Sequence, residues 1–528
     1  MKTQLFYCKS TQELIQATLE PHQQMKRSLG ALELIGLGIG ATIGSGIFAL
    51  TGTAASGQAL NDQSWLTTPL INYLLGWSLG REGAGPAVVV SFLVAAVACG
   101  FAALCYAELA SMIPVAGSAY TFAYASLGQV VAWIIGWDLI LEYAIGNVAV
   151  AISWSDYFLR FVGSAFSLRL PLWLTTDTNT ALVRLAAPDN NHHPLYSNLA
   201  LPHLFGHSLA LNLPAFFIVA LITVLLVLGA RESAIFNSIV VAIKLAVVIF
   251  FLGFGIGFVK VSNWVPFAPN GWGGIMGGAA IVFFSFIGFD AISSISEETK
   301  NPQRDLPIGM LGTLIICTGL YAAVSLVLTG ILPYKNYVND AAPVATALAA
   351  IGQPWAQALV SAGALAGMTS VLLVFQLGQP RIFMAMARDR LLPAFFARLH
   401  PQYKTPFLPT ILTGLFVGVS ALLIDIGQAA ELTNIGTLSA FIIVCAGVIV
   451  LRKRDPAHKR SFHCPLVPVI PLLGIFSCFI LMLSLPVITW FRFFAWMALG
   501  MFIYWFYAAP NAAKPLHVER SERTNDSI

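Results

Sequence analysis

The sequence predicts an all-α protein that crosses a membrane twelve times. Of its 528 residues, 57% are hydrophobic and 10% are charged, whereas a soluble domain carries about 25% charged residues. Apolar runs long enough to cross a bilayer recur along most of the chain. The alternation of polar and apolar residues that a β-barrel would require is not seen in the sequence. These observations indicate an integral membrane protein of the helical type.

The apolar runs define twelve spans. Their approximate ranges are 31–55, 86–110, 119–161 (an interfacial turn and then a span), 214–230, 235–258, 272–296, 307–332, 355–387, 407–424, 431–451, 466–487 and 493–510. If the N-terminus lies inside, lysine and arginine favour the inner segments over the outer ones by about three to one. The positive-inside rule therefore predicts that both termini are cytoplasmic. Residues 1–28 do not resemble a secretory signal and form either a surface helix or a solvated tail.

We divide the chain into four parts. These are a cytoplasmic N-terminal segment (1–28), a core of spans one to ten (29–455), peripheral spans eleven and twelve (456–511), and a cytoplasmic tail (512–528). Two outer loops are long, 56–85 and 162–213, and the first contains an apolar patch that is too short for a span. The second contains four histidines whose spacing fits no metal-ligand set, namely His192, His193, His203 and His207.

Span one contains the stretch GATIGSGIF, Gly40 to Phe48, which is too rich in glycine for a regular helix. Each glycine costs a helix about 1 kcal/mol relative to alanine. Backbone groups freed at membrane depth persist only where they line a cavity or meet a ligand. Freed amides suit a carboxylate and freed carbonyls suit an ammonium, and an amino acid carries both. The alternative is close helix packing through small residues.

Span six carries a similar interruption at SFIGFD, Ser285 to Asp290. It lies five spans after the first, and corresponding breaks in two halves of a chain are typical of inverted-repeat transporters with a site at the midplane. We therefore predict a core of five plus five spans. Asp290 follows the break and is placed to cap the second half-helix.

Lys244 is the deepest ionisable residue, and such groups cost roughly 2.5 to 3.5 kcal/mol at bilayer depth on insertion scales. It has no acidic residue within one turn of its own span. It either exchanges a proton during a transport cycle or acts as a fixed cation that holds span one in place. Both interpretations stay open.

Two carboxylates, Asp138 and Glu142, are four residues apart and are expected to share one face of span three. They form a proton relay, a counter-charge for Lys244, or a polar face that neighbouring helices satisfy. Glu108 lies near the cytoplasmic end of span two, where a structural role is favoured. No metal-ligand set, nucleophile with a base or phosphate-binding loop is present in the sequence. We predict neither enzyme activity nor a bound metal or cofactor, and no structural disulfide.

Six stretches together resemble the amino acid–polyamine–organocation superfamily, specifically its cationic amino acid transporter branch with its bacterial amino acid permeases. They are GATIGSGIF, the run from Ala84 to Tyr120, GWDLILEY, NSIVVAIKLAVVIFF, the run from Phe283 to Met310, and GQPRIFMAMARDRLLP. The similarity extends from about Lys26 to Arg454. It implies a LeuT-like 5+5 inverted repeat in which helices one and six are unwound at the substrate site.

The resemblance also implies roles for individual residues. The substrate contacts would fall on Thr42, Ile43, Gly44, Ser45, Gly46, Phe284, Ser285 and Ile287. Lys244 matches a span-five lysine that stands where sodium-coupled relatives bind an ion, which implies coupling to protons. Glu142 matches the acidic residue of span three, and Asp138 is its neighbour in the predicted proton pathway.

Three features depart from the family pattern. The 56–85 loop is longer than usual, Arg390 replaces a customary glycine, and Met368 would narrow a pocket that it faced. We predict proton-coupled uptake of a small or medium amino acid across the plasma membrane. The partners would be the free amino acid, protons and the bilayer, with no nucleic acid or obligate protein partner. Alternatives are an exchanger, a cationic amino acid carrier and, less favoured, a non-transporting sensor.

Overall fold

The computed structural model describes residue 8 and residues 29–57, 65–76, 82–115, 118–186, 200–204, 206–229, 234–403, 405–456 and 460–512. The predictions for residues 1–28, of which residue 8 alone is described, for the tail after residue 512, and for His192 and His193 lie outside these ranges. Within them the chain is mainly helical. One short hairpin, β1 His203–Leu204 with β2 His207–Ser208, lies in the second long outer loop.

The helices of the first half run as follows. They are α1 Ala31–Thr42, α2 Thr51–Ser56, α3 Leu70–Leu75, α4 Val88–Met112, α5 Ser118–Ser126, α6 Gln129–Ile140, α7 Gly146–Phe166, α8 Thr178–Ala186, α9 Leu213–Val227 and α10 Ala234–Gly255. A π-helical segment, Gly46–Leu50, precedes α2, and a second one, Leu141–Ile145, joins α6 to α7.

The remaining helices complete the chain. They are α11 Gly271–Val282, α12 Pro302–Ile331, α13 Pro343–Ala350, α14 Pro354–Arg388, α15 Phe407–Leu423, α16 Ile426–Arg454, α17 Val469–Leu483, α18 Val487–Ile503 and α19 Ala509–Ala512. The 3₁₀ segments Phe283–Phe286 and Asp290–Glu298 continue α11.

The described helices agree with the predicted polytopic membrane fold. Eight are long and apolar enough to cross a bilayer, and the bent pair of α1 with the segment from Gly46 to Ser56 would be a ninth. Three further apolar helices, α9, α15 and α17, are shorter and occupy the positions of predicted spans four, nine and eleven. The count of twelve and the inverted repeat stay predictions.

Helix α1 lies against α10, α12 and α14, at the centre of the helix bundle. Small residues allow this close approach: a Cβ on Gly309 of α12 would lie 2.9 Å from that of Leu34, and Gly38 packs directly on Thr313. Span one therefore shows both close helix packing through small residues and a break in the helix, so the two interpretations do not exclude each other.

Two local predictions concern the cytoplasmic side. Glu108 accepts hydrogen bonds from Arg452 at 3.0 and 2.7 Å and from the Cys464 N–H at 2.8 Å. It also forms an ion pair with Arg460, whose Nε lies 3.2 Å from the carboxylate. This agrees with the structural role expected for it, since it joins α4 to the end of α16. Arg390 adopts φ of +61°, the left-handed region in which a non-glycine residue costs roughly 1–2 kcal/mol, and this explains the glycine expected there.

Candidate functional site

Span one is broken where the glycine-rich stretch predicted it. Helix α1 ends at Thr42, Ile43 is extended with φ −76° and ψ 97°, and the π-helical segment that leads into α2 begins at Gly46. The axes of the two halves differ by 44°. The break is narrower than the predicted stretch, because residues 40–42 remain helical and only Ile43 and Gly44 leave the helix. Ser45 already has helical dihedral angles, with φ −58° and ψ −23°.

Span six is broken as well. The 3₁₀ turn Phe283–Phe286 is followed by Ile287, which is extended, and by Gly288 with φ of +121°. Glycine is needed at residue 288 for this conformation and for space, because a Cβ there would lie 2.9 Å from the carbonyl carbon of Ala41. Asp290 accepts from the Gly288 N–H at 3.2 Å, a bond to a residue that precedes it. The second half-helix begins at Asp290 itself, with Phe289 at the N-cap and no side-chain cap, so the predicted capping role of Asp290 is wrong.

The two breaks face each other across the centre of the protein. Gly46 touches Ser285 so closely that a Cβ on Gly46 would overlap the serine backbone. The hydroxyl of Tyr321, on α12, donates to the Ser285 carbonyl at 2.8 Å and lies 3.1 Å from the Thr42 carbonyl. Sequence reasoning missed Tyr321, since an aromatic residue in an apolar helix carries no signal that separates it from core packing.

Lys244 contacts the break in span one directly. Its Nζ donates to the carbonyl of Gly40 at 2.6 Å, and its side chain is fully buried. In a continuous α-helix the Gly40 carbonyl would accept from the N–H of Gly44, and the Thr42 carbonyl from that of Gly46. Lys244 and Tyr321 therefore occupy carbonyls that the break releases. The lysine stem passes over Gly367 of α14, where a Cβ would lie 2.8 Å from Lys244 Cγ.

Three hydroxyls at the breaks are buried and make no hydrogen bond within the described part of the chain. They belong to Thr42, Ser45 and Ser285. Leaving a buried polar group unsatisfied costs about 1–3 kcal/mol, and native structures contain few such groups. Their clustering at two adjacent backbone breaks indicates a place where a polar ligand supplies the missing partners.

The other predicted substrate residues lie in the same region. Ile43, Phe284 and Ile287 are each no more than 5% exposed, and Gly44 and Gly46 are also buried. The structure therefore brings all eight predicted contacts to the two facing breaks. None of them reaches solvent appreciably, so a solute can enter only if the surrounding helices move.

The two carboxylates of span three contact different neighbours. Asp138 accepts from the Ser439 hydroxyl of α16. Glu142 lies in the π-helical segment between α6 and α7, where its carboxyl interacts with that of Asp290 and with the Thr437 hydroxyl. Glu142 thus adjoins the break in span six, whereas Lys244 contacts the break in span one. Single π-helical turns are frequent at functional sites.

Hydrogen bonds and an ion pair cover the breaks on the side that is predicted to face outward. The Tyr157 hydroxyl of α7 donates to the Phe48 carbonyl at 2.7 Å. One turn further out, Arg160 pairs with Asp340 at 2.7 Å, with both side chains less than one-tenth exposed. The outer half of α7 is thereby joined to the outer half of span one and to the segment that precedes α13.

The chain is similar in sequence to several known transport proteins. The family model described as amino acid permease matches residues 29–504. A branched-chain amino acid permease of Bacillus subtilis is 44% identical over 508 residues, which is 96% of this chain and 98% of that protein. A methylthioribose transporter of the same organism is 42% identical, covering 92% and 94%. The vacuolar cationic amino acid transporter 4 of Arabidopsis thaliana is 37% identical, covering 83% and 65%.

Proposed function

Because the chain belongs to the amino acid permease family and is a transporter of amino acids, not an enzyme, we propose that it carries a neutral aliphatic amino acid by alternating access. The observation that carries this proposal is the set of three buried, unsatisfied hydroxyls at two facing backbone breaks. A zwitterion matches such a site, since the three hydroxyls can donate to its carboxylate or accept from its ammonium, and N–H groups released at the breaks can bind the carboxylate.

The residues around the breaks favour an apolar side chain on the substrate. Ile43, Phe284 and Ile287 are apolar, and Val371 of α14 lies against Gly44. Met368, one turn earlier on α14, is fully buried. None of the eight proposed contact residues is acidic, which argues against a cationic side chain, and the branched-chain permease among the relatives supports the same class. The methylthioribose transporter makes a thioether solute a second candidate to test.

We further propose coupling to an inward proton gradient through Lys244. The protonated amine of Lys244 donates a charge-assisted hydrogen bond to the Gly40 carbonyl. Loss of the proton removes the charge and weakens this hydrogen bond. The two halves of span one are then free to move. The proposed setting is the plasma membrane with both termini in the cytoplasm, as the charge distribution predicts.

The test is uptake into vesicles that contain the purified protein. Labelled leucine, isoleucine, valine, arginine and methylthioribose are supplied with and without an inward proton gradient. Gradient-driven accumulation of the branched-chain amino acids is expected. It should be lost in Lys244→Ala with substrate binding retained, and kept in Lys260→Ala, a control at the exposed outer end of the same span.

Two results would contradict parts of this proposal. Uptake that ignores the gradient but requires an amino acid inside the vesicle would make the protein an exchanger and give Lys244 a structural role. Uptake of arginine in preference to leucine would refute the neutral substrate and favour the cationic amino acid alternative.

A further inference from the structure

The long first outer loop contains a short structured segment that the transport site does not explain. Within the described residues 65–76, a 3₁₀ turn at Trp65–Thr67 leads into α3, Leu70–Leu75. We call these residues the outer-loop segment. It belongs to the 56–85 loop, whose extra length is one of the departures from the family pattern.

The outer-loop segment is hydrogen-bonded through its backbone to the turn between α17 and α18. The Leu70 N–H donates to the Leu485 carbonyl at 3.1 Å, and the Val487 N–H donates to the Thr68 carbonyl at 3.1 Å. Pro69 and Pro486 pair between these two bonds. The segment therefore lies level with the outer ends of the two peripheral helices, where a bilayer changes from acyl chains to headgroups.

The outer-loop segment has two distinct faces. Ile71 and Asn72 point inward and are buried. Outward, Trp65 is 60% exposed, Leu74 64% and Leu75 56%. An outward face made of such large apolar residues, on a loop of an otherwise folded protein, marks an interaction surface.

This apolar face continues onto the side of α18. The Trp65 ring meets Phe491 edge to face, with centroids 6.3 Å apart. Phe491 is in the second turn of α18 and, like Phe494, is more than half exposed. Because α18 is apolar and long enough to face lipid, the surface that includes Trp65 is continuous with a lipid-facing one.

We propose that the outer-loop segment is a membrane anchor whose apolar face lies in the outer leaflet, among the upper acyl chains of the lipids. Tryptophan and tyrosine prefer this depth, and Trp65 and Tyr73 supply both. A short helix with one apolar face lies in the interface and does not cross it. The backbone bonds to Thr68 and Leu70 fix its orientation, so the leucines at positions 74 and 75 point away from the protein.

The anchor is connected to both broken spans. The loop begins directly after α2, where Gly57 pairs with Glu82, and the Asn270 side chain before α11 donates to the Gly83 carbonyl at 2.8 Å. The same loop therefore touches the outer halves of spans one and six and, through the outer-loop segment, spans eleven and twelve. The proposal concerns lipid contact alone and does not depend on the substrate.

The experiment is spin labelling of the full chain in lipid nanodiscs. Leu74→Cys is labelled in a Cys8→Ser background, because the other six native cysteines are buried. Power saturation measures collisions of the label with oxygen, which concentrates in lipid, and with a nickel chelate, which stays in water. Phe476→Cys on α17 is the lipid reference, and Asn336→Cys in an exposed outer turn is the water reference.

The ratio of oxygen to nickel collision rates at residue 74 should exceed that at residue 336 and fall below that at residue 476, because this ratio rises with depth in the bilayer and Phe476 lies midway along α17. A ratio equal to that at residue 336 would overturn the proposal. Protection from both reagents would also overturn it, since a second copy or another protein would then cover the face. Leu75→Cys gives an independent reading of the same surface if the first variant folds poorly.

Discussion

Replacing Tyr321 by phenylalanine tests whether the two broken helices act as one site. The change keeps the ring, which packs against Phe92 and Phe286, and removes only the hydroxyl. One donor is then lost to the buried carbonyls of Thr42 and Ser285. An unsatisfied buried acceptor costs about 1–3 kcal/mol. Since about 1.4 kcal/mol is a factor of ten, we expect substrate affinity to fall by about 5- to 150-fold.

This magnitude assumes that the hydroxyl joins the breaks when the site is closed around substrate and releases them when the site opens. The matched control is Tyr337→Phe. Its hydroxyl is equally buried and donates to the Leu328 carbonyl at 2.8 Å, but it lies at the outer end of α12, away from both breaks. The control should lose a similar amount of thermal stability and keep its substrate affinity.

The assay is equilibrium binding of labelled substrate to purified protein, with thermal unfolding measured on the same samples. The KM and the maximal rate of uptake are then compared in vesicles. A loss of stability in Tyr321→Phe without a change in affinity or KM would refute the reasoning. The hydroxyl would then be an ordinary core hydrogen bond, with no role in positioning the site.

Two further predictions concern the breaks, and a third concerns the contact between Glu108 and Arg452. Gly46→Ala should abolish uptake, because the new methyl group overlaps Ser285. The control is Gly36→Ala, whose new methyl group has no atom within 4 Å, and it should leave uptake unchanged. Equal uptake by both variants would contradict the close approach of the breaks. Ser285→Ala should lower substrate affinity about tenfold without lowering the unfolding temperature, since its hydroxyl has no partner in the described protein; a lower unfolding temperature would refute this. Arg452→Met should destabilise the protein by about 2 kcal/mol, because Glu108 loses two charge-assisted hydrogen bonds. An unchanged melting curve in detergent would count against a stabilising role for the pair of Arg452 and Glu108.

Several features of the site could be predicted from sequence, because each costs free energy that depends on one short stretch of residues. Dense glycine in span one and the SFIGFD stretch in span six destabilise a helix whatever its neighbours are. Both breaks could therefore be located before any contact was known. A buried lysine is costly at bilayer depth in the same way, and this singled out Lys244. The family resemblance then assigned Thr42, Ser45 and Ser285 to the substrate, an assignment that stays a prediction.

Pairings between distant residues could not be predicted in this way. Asp138 and Glu142, four residues apart, were expected to share one face, and both contact α16, through Ser439 and Thr437. These partners, and the carboxyl of Asp290 beside Glu142, could not be named from the sequence. The 56–85 loop contained a recognisable apolar patch. Its attachment to the turn after α17 depends on where the peripheral helices end, which hydropathy does not specify.

The sequence by itself determined that this protein is a polytopic helical transporter with two interrupted spans, because hydropathy, glycine density and buried charge act residue by residue. Only the tertiary structure decided which groups satisfy the interrupted backbone. Lys244 lies about two hundred residues from Gly40, and Tyr321 lies still further from Thr42. Such contacts arise from how α10 and α12 pack on α1. The packing depends on the shapes of several helices at once, which no single stretch of sequence encodes.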